Sequence, residues 1–315
     1  MTSTRSDAES AITSRPGEGL DDLRTAGELL SRAWLAGSPD VMWTPGDLSW
    51  WFTQSWPAEL AEHLRLWSIG GRAVAWSWHD PDDDEGPAEI EYHAWSGDRT
   101  LDIEIGRVIL GASVAGGGPL DASASDDDAD RLDLLARFDF ARIEPGPDAP
   151  RHLTGSQYQL TPDAVIPDAP LARGYRIRSV AGADDIARRV EVHRAAFAPS
   201  RLSVGKYERL VTLPGYRLED DFVVEAPDGT FAAFTMAWWD PAARVGEFEP
   251  VGTHPEHQRR GLGKALLAHA LRRYRRAGTR LVQVQSSADN VASEALYQSV
   301  GFRRVALHRR YRRPG

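Results

Sequence analysis

The residues best placed to do chemistry lie between Glu247 and Phe302. At their centre the chain reads Gln258-Arg259-Arg260-Gly261-Leu262-Gly263-Lys264-Ala265. Leu262, Leu266 and Ala270, with Leu267, Leu271 and Tyr274, recur at helical spacing, so a helix starts at the glycines. The first N–H groups of a helix have no partner within it, glycine lets a ligand approach them closely, and the helix dipole favours an anion. Arg259, Arg260 and Lys264 add positive charge at the same place, which makes the loop a pyrophosphate cradle. Upstream, Glu247-Phe248-Glu249-Pro250-Val251 reads as a strand that feeds the loop. Glu247 and Glu249, two residues apart, share one face of it. A carboxylate beside an apolar channel has a raised pKa, which suits a base taking a proton from an ammonium; the same pair also suits simple attraction of a cationic substrate.

Two standard nucleotide loops are excluded by spacing: the third glycine of the dinucleotide pattern and a Gly-Lys-Ser/Thr ending are both missing. The pattern Gln258-x-x-Gly261-x-Gly263 instead resembles the acetyl-CoA loop of the GNAT superfamily of N-acetyltransferases. Thr253-His254-Pro255-Glu256 resembles that family's strand-to-loop connection. Asn290, Ala295-Leu296-Tyr297 and Gly301-Phe302 resemble its helix and final hairpin. The resemblance implies acetyl-CoA as co-substrate, with Val251, Thr253, Gln258, Arg259, Arg260, Gly261, Leu262, Gly263, Lys264 and Asn290 around it, and no metal. It places Val251 where the family's splayed central strand turns a backbone N–H toward the thioester carbonyl. Pro250 beside it has no N–H, which suits a strand interrupted there. It places Tyr297 at the family's proton donor to the leaving thiolate, the reading preferred here over a packed helix aromatic, which would keep the ring but not need the hydroxyl. Glu247 falls at the family's usual glutamate position, ahead of Glu249. His254 and His308 are weaker candidates, since a lone histidine is more often structural.

These residues need a scaffold, and the sequence carries its pattern twice over. Gly70 to Pro81 parallels Asp228 to Pro241, each a glycine turn, an alternating apolar strand and an Asp-Pro stop. Glu89–His93 parallels Glu247–Val251, and Leu134–Phe140 parallels Leu296–Phe302, at near-constant offset. Such a series implies a duplicated domain. The expected fold is α/β (α+β): two GNAT-like domains, each a mixed, mostly antiparallel sheet flanked by helices. The expected division is a mobile tail over 1–22, a degenerate domain over 23–160, a Pro-rich linker over 161–172 and an acetyl-CoA-binding domain over 173–315. Tyr158–Leu160 is expected to end the first domain's last strand. Where the second half has its glycine loop, the first reads Ser96 to Gly106 with carboxylates, so its CoA site is expected to be lost. Within the second half, Ser203 is a helix N-cap, and Phe197 to Tyr207 is expected to border the acceptor.

Composition narrows the classes further. The 315 residues carry a net charge of −9 and no cysteine, which removes disulfides, thiolate metal sites and thiol catalysis. No apolar run approaches the roughly 20 residues that span a bilayer, and a cytoplasmic location is expected. Residues 1–150 hold 11 basic and 29 acidic residues, and residues 151–315 hold 26 and 17, so the halves carry −18 and +9. The basic half suits a polyphosphate ligand. Its arginines lack an interleaved aromatic platform, so no nucleic-acid partner and no membrane partner are expected, only a small-molecule amine and a monomer or homodimer. Nine of the 11 tryptophans fall in the first half, Trp56 among them; they read as core and interface filling, or as an aromatic wall for a cation. The runs Pro81–Pro87 and Ala115–Asp130 read as solvated loops. The activity implied is direct acetyl transfer to a small-molecule primary amine in a ternary complex. The tandem layout is also similar to that of the mycothiol synthases, which acetylate an amino-sugar conjugate. A non-catalytic acyl-CoA-binding module is the third possibility.

Overall fold

The computed structural model describes residues 12–37, 41–55, 58–81, 87–146, 149–150 and 152–315. Trp56, residues 1–11 of the expected tail and the acidic run 82–86 lie outside them. The N-terminal half runs β1 (Ile12–Pro16), α1 (Leu20–Ala36), α2 (Pro45–Ser55), α3 (Leu60–His63), β2 (Leu64–Ile69), β3 (Arg72–Asp80), β4 (Ala88–Ala94), α4 (Arg99–Val114), β5 (Leu120–Ser125), α5 (Ala129–Arg137), β6 (Ala141–Arg142) and β7 (Thr154–Leu160). The C-terminal half repeats the order with β8 (Arg176–Ser179), α6 (Ala183–Ala196), α7 (Val204–Leu210), β9 (Asp221–Glu225), β10 (Phe231–Asp240), β11 (Val245–Thr253), α8 (Leu262–Arg276), β12 (Leu281–Ser287), α9 (Val291–Ser299) and β13 (Arg303–Arg313). The duplication read from three sequence blocks thus extends to nearly every element.

The strands form one sheet in the order β1-β2-β3-β4-β5-β13-β7-β12-β11-β10-β9-β8, with β6 beside β13. All its pairings are antiparallel except β4 with β5 and β11 with β12. The halves meet through an exchange of their last strands. β7 pairs with β12 of the C-terminal half, while β13 pairs with β5 of the N-terminal half, and the two exchanged strands pair with each other at the centre. Tyr158–Leu160 therefore ends a strand of the C-terminal sheet, correcting the expectation.

Two further expectations fail for identifiable reasons. Residues 12–22 are not a tail: β1 pairs along β2, and α1 begins at Leu20. The run Ala115–Asp130 is not a solvated loop, because it contains β5, whose small side chains hide it from a hydropathy reading. Asp121 within β5 is fully buried and held by Arg312 from the exchanged strand at 2.6 and 2.8 Å. A buried carboxylate needs such a partner.

Apolar periodicity accounts for the elements that carry the site. β10 is buried along almost its whole length, as befits a central strand with helices on both faces. α8 packs Leu262, Ala265, Leu266, Ala270, Leu271 and Tyr274 onto it and keeps Arg273, Arg275 and Arg276 in its last turn, where cations complement the helix dipole. On the opposite face α6 is pinned through Arg189, whose guanidinium reaches Asp221 at 3.0 Å and lies 3.9 Å above the Phe234 ring. Ser203 caps α7 by accepting from the Lys206 N–H, as the sequence indicates.

Candidate active site

β11 pairs with β12 only from Val245 to Phe248; beyond that the two parallel strands part. The parting has a local cause. β10 and β11 lose register between Thr235 and Ala237, where Glu249 and the N–H-lacking Pro250 stand opposite Met236. Beyond the bulge the ladder resumes, and the His254 N–H donates to the Ala232 carbonyl at 2.9 Å. Hydrogen-bonded and open pairs alternate in an antiparallel ladder, so the Thr235–Val251 and Ala233–Thr253 pairs are open ones. The N–H groups of Val251 and Thr253 thus face away from β10, into the gap left by β12.

The glycine loop closes one end of that gap. Gly261 is the α8 N-cap residue, left-handed at φ 74°, and no side chain caps the helix. The space where a Cβ would sit on Gly261 is open, whereas one on Gly263 would lie 3.3 Å from Leu296 and 3.6 Å from the Thr253 hydroxyl. Gly263 therefore brings α8 close to both α9 and β11. Arg259 and Gly261 are exposed and Lys264 is half-buried. Arg260 is committed elsewhere, to the Tyr175 hydroxyl at 2.8 Å and the Glu256 carbonyl at 3.1 Å. The Asn290 amide oxygen caps α9 through the Ser293 N–H, and the Gln258 amide lies 3.5 Å from the Thr253 carbonyl. The corresponding helix of the N-terminal half is different. Asp98 occupies the first N–H groups of α4, accepting from Thr100 and Leu101, which leaves no open anion cradle there.

The two glutamates separate sharply. Glu247 is only 1% exposed and its carboxyl is enclosed by groups from elsewhere in the chain: the Thr44 hydroxyl, the Gln283 amide at 2.8 Å and the Asp47 carboxyl. Burial, then the neighbouring Asp47 charge, pushes it well above the usual carboxylate range. Asp47, at the start of α2, is raised by burial to about 6, held back by its hydrogen bonds to Glu247 and Thr44. Two carboxyls so placed share one proton at neutral pH. Glu249 is half-buried, and burial followed by the Asp47 charge raises it to about 8. Its backbone carbonyl takes the Trp238 indole N–H at 2.7 Å. Tyr297, buried on α9, keeps its hydroxyl proton to far higher pH than usual, through burial first and then the Glu249 charge. The structure thus joins Glu249 and Tyr297 electrostatically and puts Glu247, which the sequence ranked first, in the seam between the halves. His254 caps the turn after β11 through the Glu256 N–H, and His308 lies on β13 beside Gln157.

Sequence reasoning missed Thr44 and Asp47, which stand 203 and 200 residues from Glu247 in a chain numbered continuously. It also missed Gly46, which seats α2 against β10: a Cβ there would lie 2.4 Å from Trp238. No local pattern marks these residues. Among the described residues no group of three metal-ligating side chains is found, and no helix is long and apolar enough to cross a membrane.

Comparison with known proteins bears on the family and the fold. Residues 192–302 match the model of the acetyltransferase (GNAT) family. A mycothiol acetyltransferase of Sanguibacter keddieii is 30% identical over 174 residues, 52% of this chain and 54% of the relative. The N-alpha-acetyltransferase RimI of Mycobacterium tuberculosis is 45% identical over 92 residues, 27% of this chain and 56% of the relative. The chain spans about half the length of the curated relatives it matches. A solved tandem GNAT protein from the clavulanic acid biosynthesis pathway aligns with 96% of this chain and 98% of its own, at TM-score 0.63 and 16% identity, a likeness of fold alone. Residues 192–302 therefore belong to the GNAT acetyltransferase family, within a chain that has the tandem GNAT fold over nearly its whole length.

Proposed function

We propose that the protein is an acetyl-CoA-dependent N-acetyltransferase that acetylates a primary amine of a small molecule by direct attack in a ternary complex. The observation that carries this reading is the gap between β11 and β12, bordered at once by an uncapped helix N-terminus, two outward strand N–H groups, a carboxylate near neutrality and a protonated tyrosine. The site fits acetyl-CoA: Gly261 is open above, and the α8 N–H groups with Arg259 and Lys264 suit a pyrophosphate. Acetyl-CoA supplies an activated acyl thioester. The Val251 N–H is positioned to stabilise negative charge on the carbonyl oxygen, a kind of donor whose loss typically costs about 10²–10³ in rate. Glu249 takes the proton of the incoming ammonium, and Tyr297 holds one for the departing thiolate. Glu247 acts through Asp47, keeping one negative charge beside Glu249.

For the acceptor, an N-terminal half of net charge −18 favours a cationic amine over an acidic one. A second reading, acetylation of an amino-sugar conjugate as in mycothiol formation, is supported by the names of the relatives that match about half of the chain. The test is thiol release from acetyl-CoA across aminoglycosides, polyamines, amino acids, amino-sugar conjugates and peptide N-termini. Turnover with one small-molecule class establishes the activity and names the acceptor. Measurable acetyl-CoA binding without turnover on any of them would favour the non-catalytic module instead.

A further inference from the structure

The gap between β11 and β12 has a counterpart in the N-terminal half. β4 pairs with β5 only over Ala88–Ile90 and then diverges. Between the separated strands lies a cleft of about 650 Å³, with Trp43 and Trp95 in its lining. Its chemistry is the inverse of the CoA cradle. Asp98 already fills the anion-binding end of α4, and the Asp102 carboxylate accepts the Ser96 N–H at 2.6 Å. Five carboxylates line the cleft, those of Glu91, Asp102, Asp127, Asp128 and Asp130, against two guanidiniums, Arg99 and Arg131. Both guanidiniums are engaged. Arg131 bonds Glu91 at 2.8 Å and lies 4.2 Å over the Tyr92 ring, while Arg99 bridges Asp128 and Asp130. The excess charge left in the cleft is negative.

A second, independent feature asks for a ligand. His93 is 9% exposed and lines the cleft, yet its Nε2 is buried without a hydrogen-bond partner. A buried ring nitrogen left unpaired carries the full desolvation cost of that group. Burial lowers His93 to about 4, so the imidazole is neutral at pH 7 and adds no charge to repel a cation. The half-buried faces of Trp43 and Trp95 add the surface to which ammonium groups are drawn.

We propose that this cleft is a second small-molecule site, separate from the acetyl-transfer site, that takes an organic ammonium ion against the Trp43 and Trp95 indoles and the carboxylates of its lining. The site would give the N-terminal half a binding role of its own, whatever the acceptor of the C-terminal half.

The test uses the full chain and benzylammonium chloride, whose N–H groups can pair with the His93 ring, titrated by calorimetry in the absence of acetyl-CoA. Saturable binding at one site per chain is expected, weakening as salt is raised. Trp95→Leu should weaken it about 3- to 30-fold, the range of cation–aromatic contributions from exposed to desolvated settings. Asp127→Asn, at an exposed position that does not threaten folding, should weaken it by less. Glu249→Gln and Gly263→Trp should leave it unchanged. The proposal is overturned by absence of saturation below about 10 mM, or by Asp127→Asn and a folded Trp95→Leu both binding like the parent. It is also overturned if Glu249→Gln abolishes binding, which would move the cation to the C-terminal half. Coenzyme A still binding to the Gly263→Trp protein and displacing the probe would likewise overturn it, by showing that the cleft accepts an anion.

Discussion

Asp47→Asn should make the enzyme a better catalyst in mild acid. Asp47 lies in the N-terminal half, yet its charge is the second of the two causes that lift Glu249 from 4.5 to about 8, behind burial. Being the smaller cause, it accounts for less than half of that rise. Removing it should therefore move the acid limb of the kcat/KM profile down by at most about 1.7 pH units, to no lower than about 6.3. At pH 6.5 a base of pKa 8 is only about 3% ionised, so the variant should gain up to about twentyfold in kcat/KM there and little above pH 9. Asparagine keeps an oxygen for the Thr44 N–H and hydroxyl, at 2.6 and 3.1 Å, so the start of α2 stays in place. The assay is thiol release from acetyl-CoA at limiting acceptor, using the amine that the panel identifies, from pH 5.5 to 9.5. A limb that stays near pH 8, or moves up, would refute both the role of Glu249 as base and the electrostatic link from the N-terminal half.

Other perturbations follow from the same contacts. Gly263→Trp drives an indole into Leu296 and Thr253 and should abolish acetyl-CoA binding in equilibrium titration while the fold survives. Gly46→Ala places a methyl 2.4 Å from Trp238 and should destabilise the protein by about 1–3 kcal/mol, read as a lower denaturation midpoint. Asp221→Ala strands the buried Arg189 charge and should cost about 3–5 kcal/mol, measured by chemical denaturation. Asp47 and Glu247 hold protons more tightly folded than unfolded, so their contribution is complete below about pH 4 and is lost as pH rises through about 6 and above. Glu247→Gln should flatten that decline when midpoints at pH 5 and pH 8 are compared.

Much of the scaffold was legible because it rests on local rules. The α8 start at Leu262 follows from Gly261 and the apolar stripe behind it, and the Ser203 cap follows from a hydroxyl placed before a helical run. The bulge at Pro250 was legible because proline has no N–H to give a ladder. What stayed hidden depends on partners far away in the chain. Nothing near Glu247 shows that Thr44 and Asp47 close over it, so its family-like position ranked it above Glu249. The strand exchange was invisible for the same reason: β7 and β13 carry strand patterns, but pattern does not say which neighbour a strand joins. β5 escaped notice because Leu-Asp-Ala-Ser-Ala-Ser has little hydrophobic signal, and Asp121 is tolerated inside only through Arg312. Asn290 was read for ligand contact, and its oxygen is taken up as the α9 cap.

The most direct test of the central claim is Tyr297→Phe, with acetyl-CoA affinity and thiol release measured on the same preparation. The ring packs 5.5 Å from Tyr158 and 6.1 Å from Phe302, so phenylalanine should preserve the fold and the cofactor cleft. The account predicts unchanged acetyl-CoA affinity with turnover lower by about 10²–10⁴-fold. Turnover equal to that of the parent would contradict it, leaving Tyr297 a packing residue and the leaving thiolate without its assigned acid.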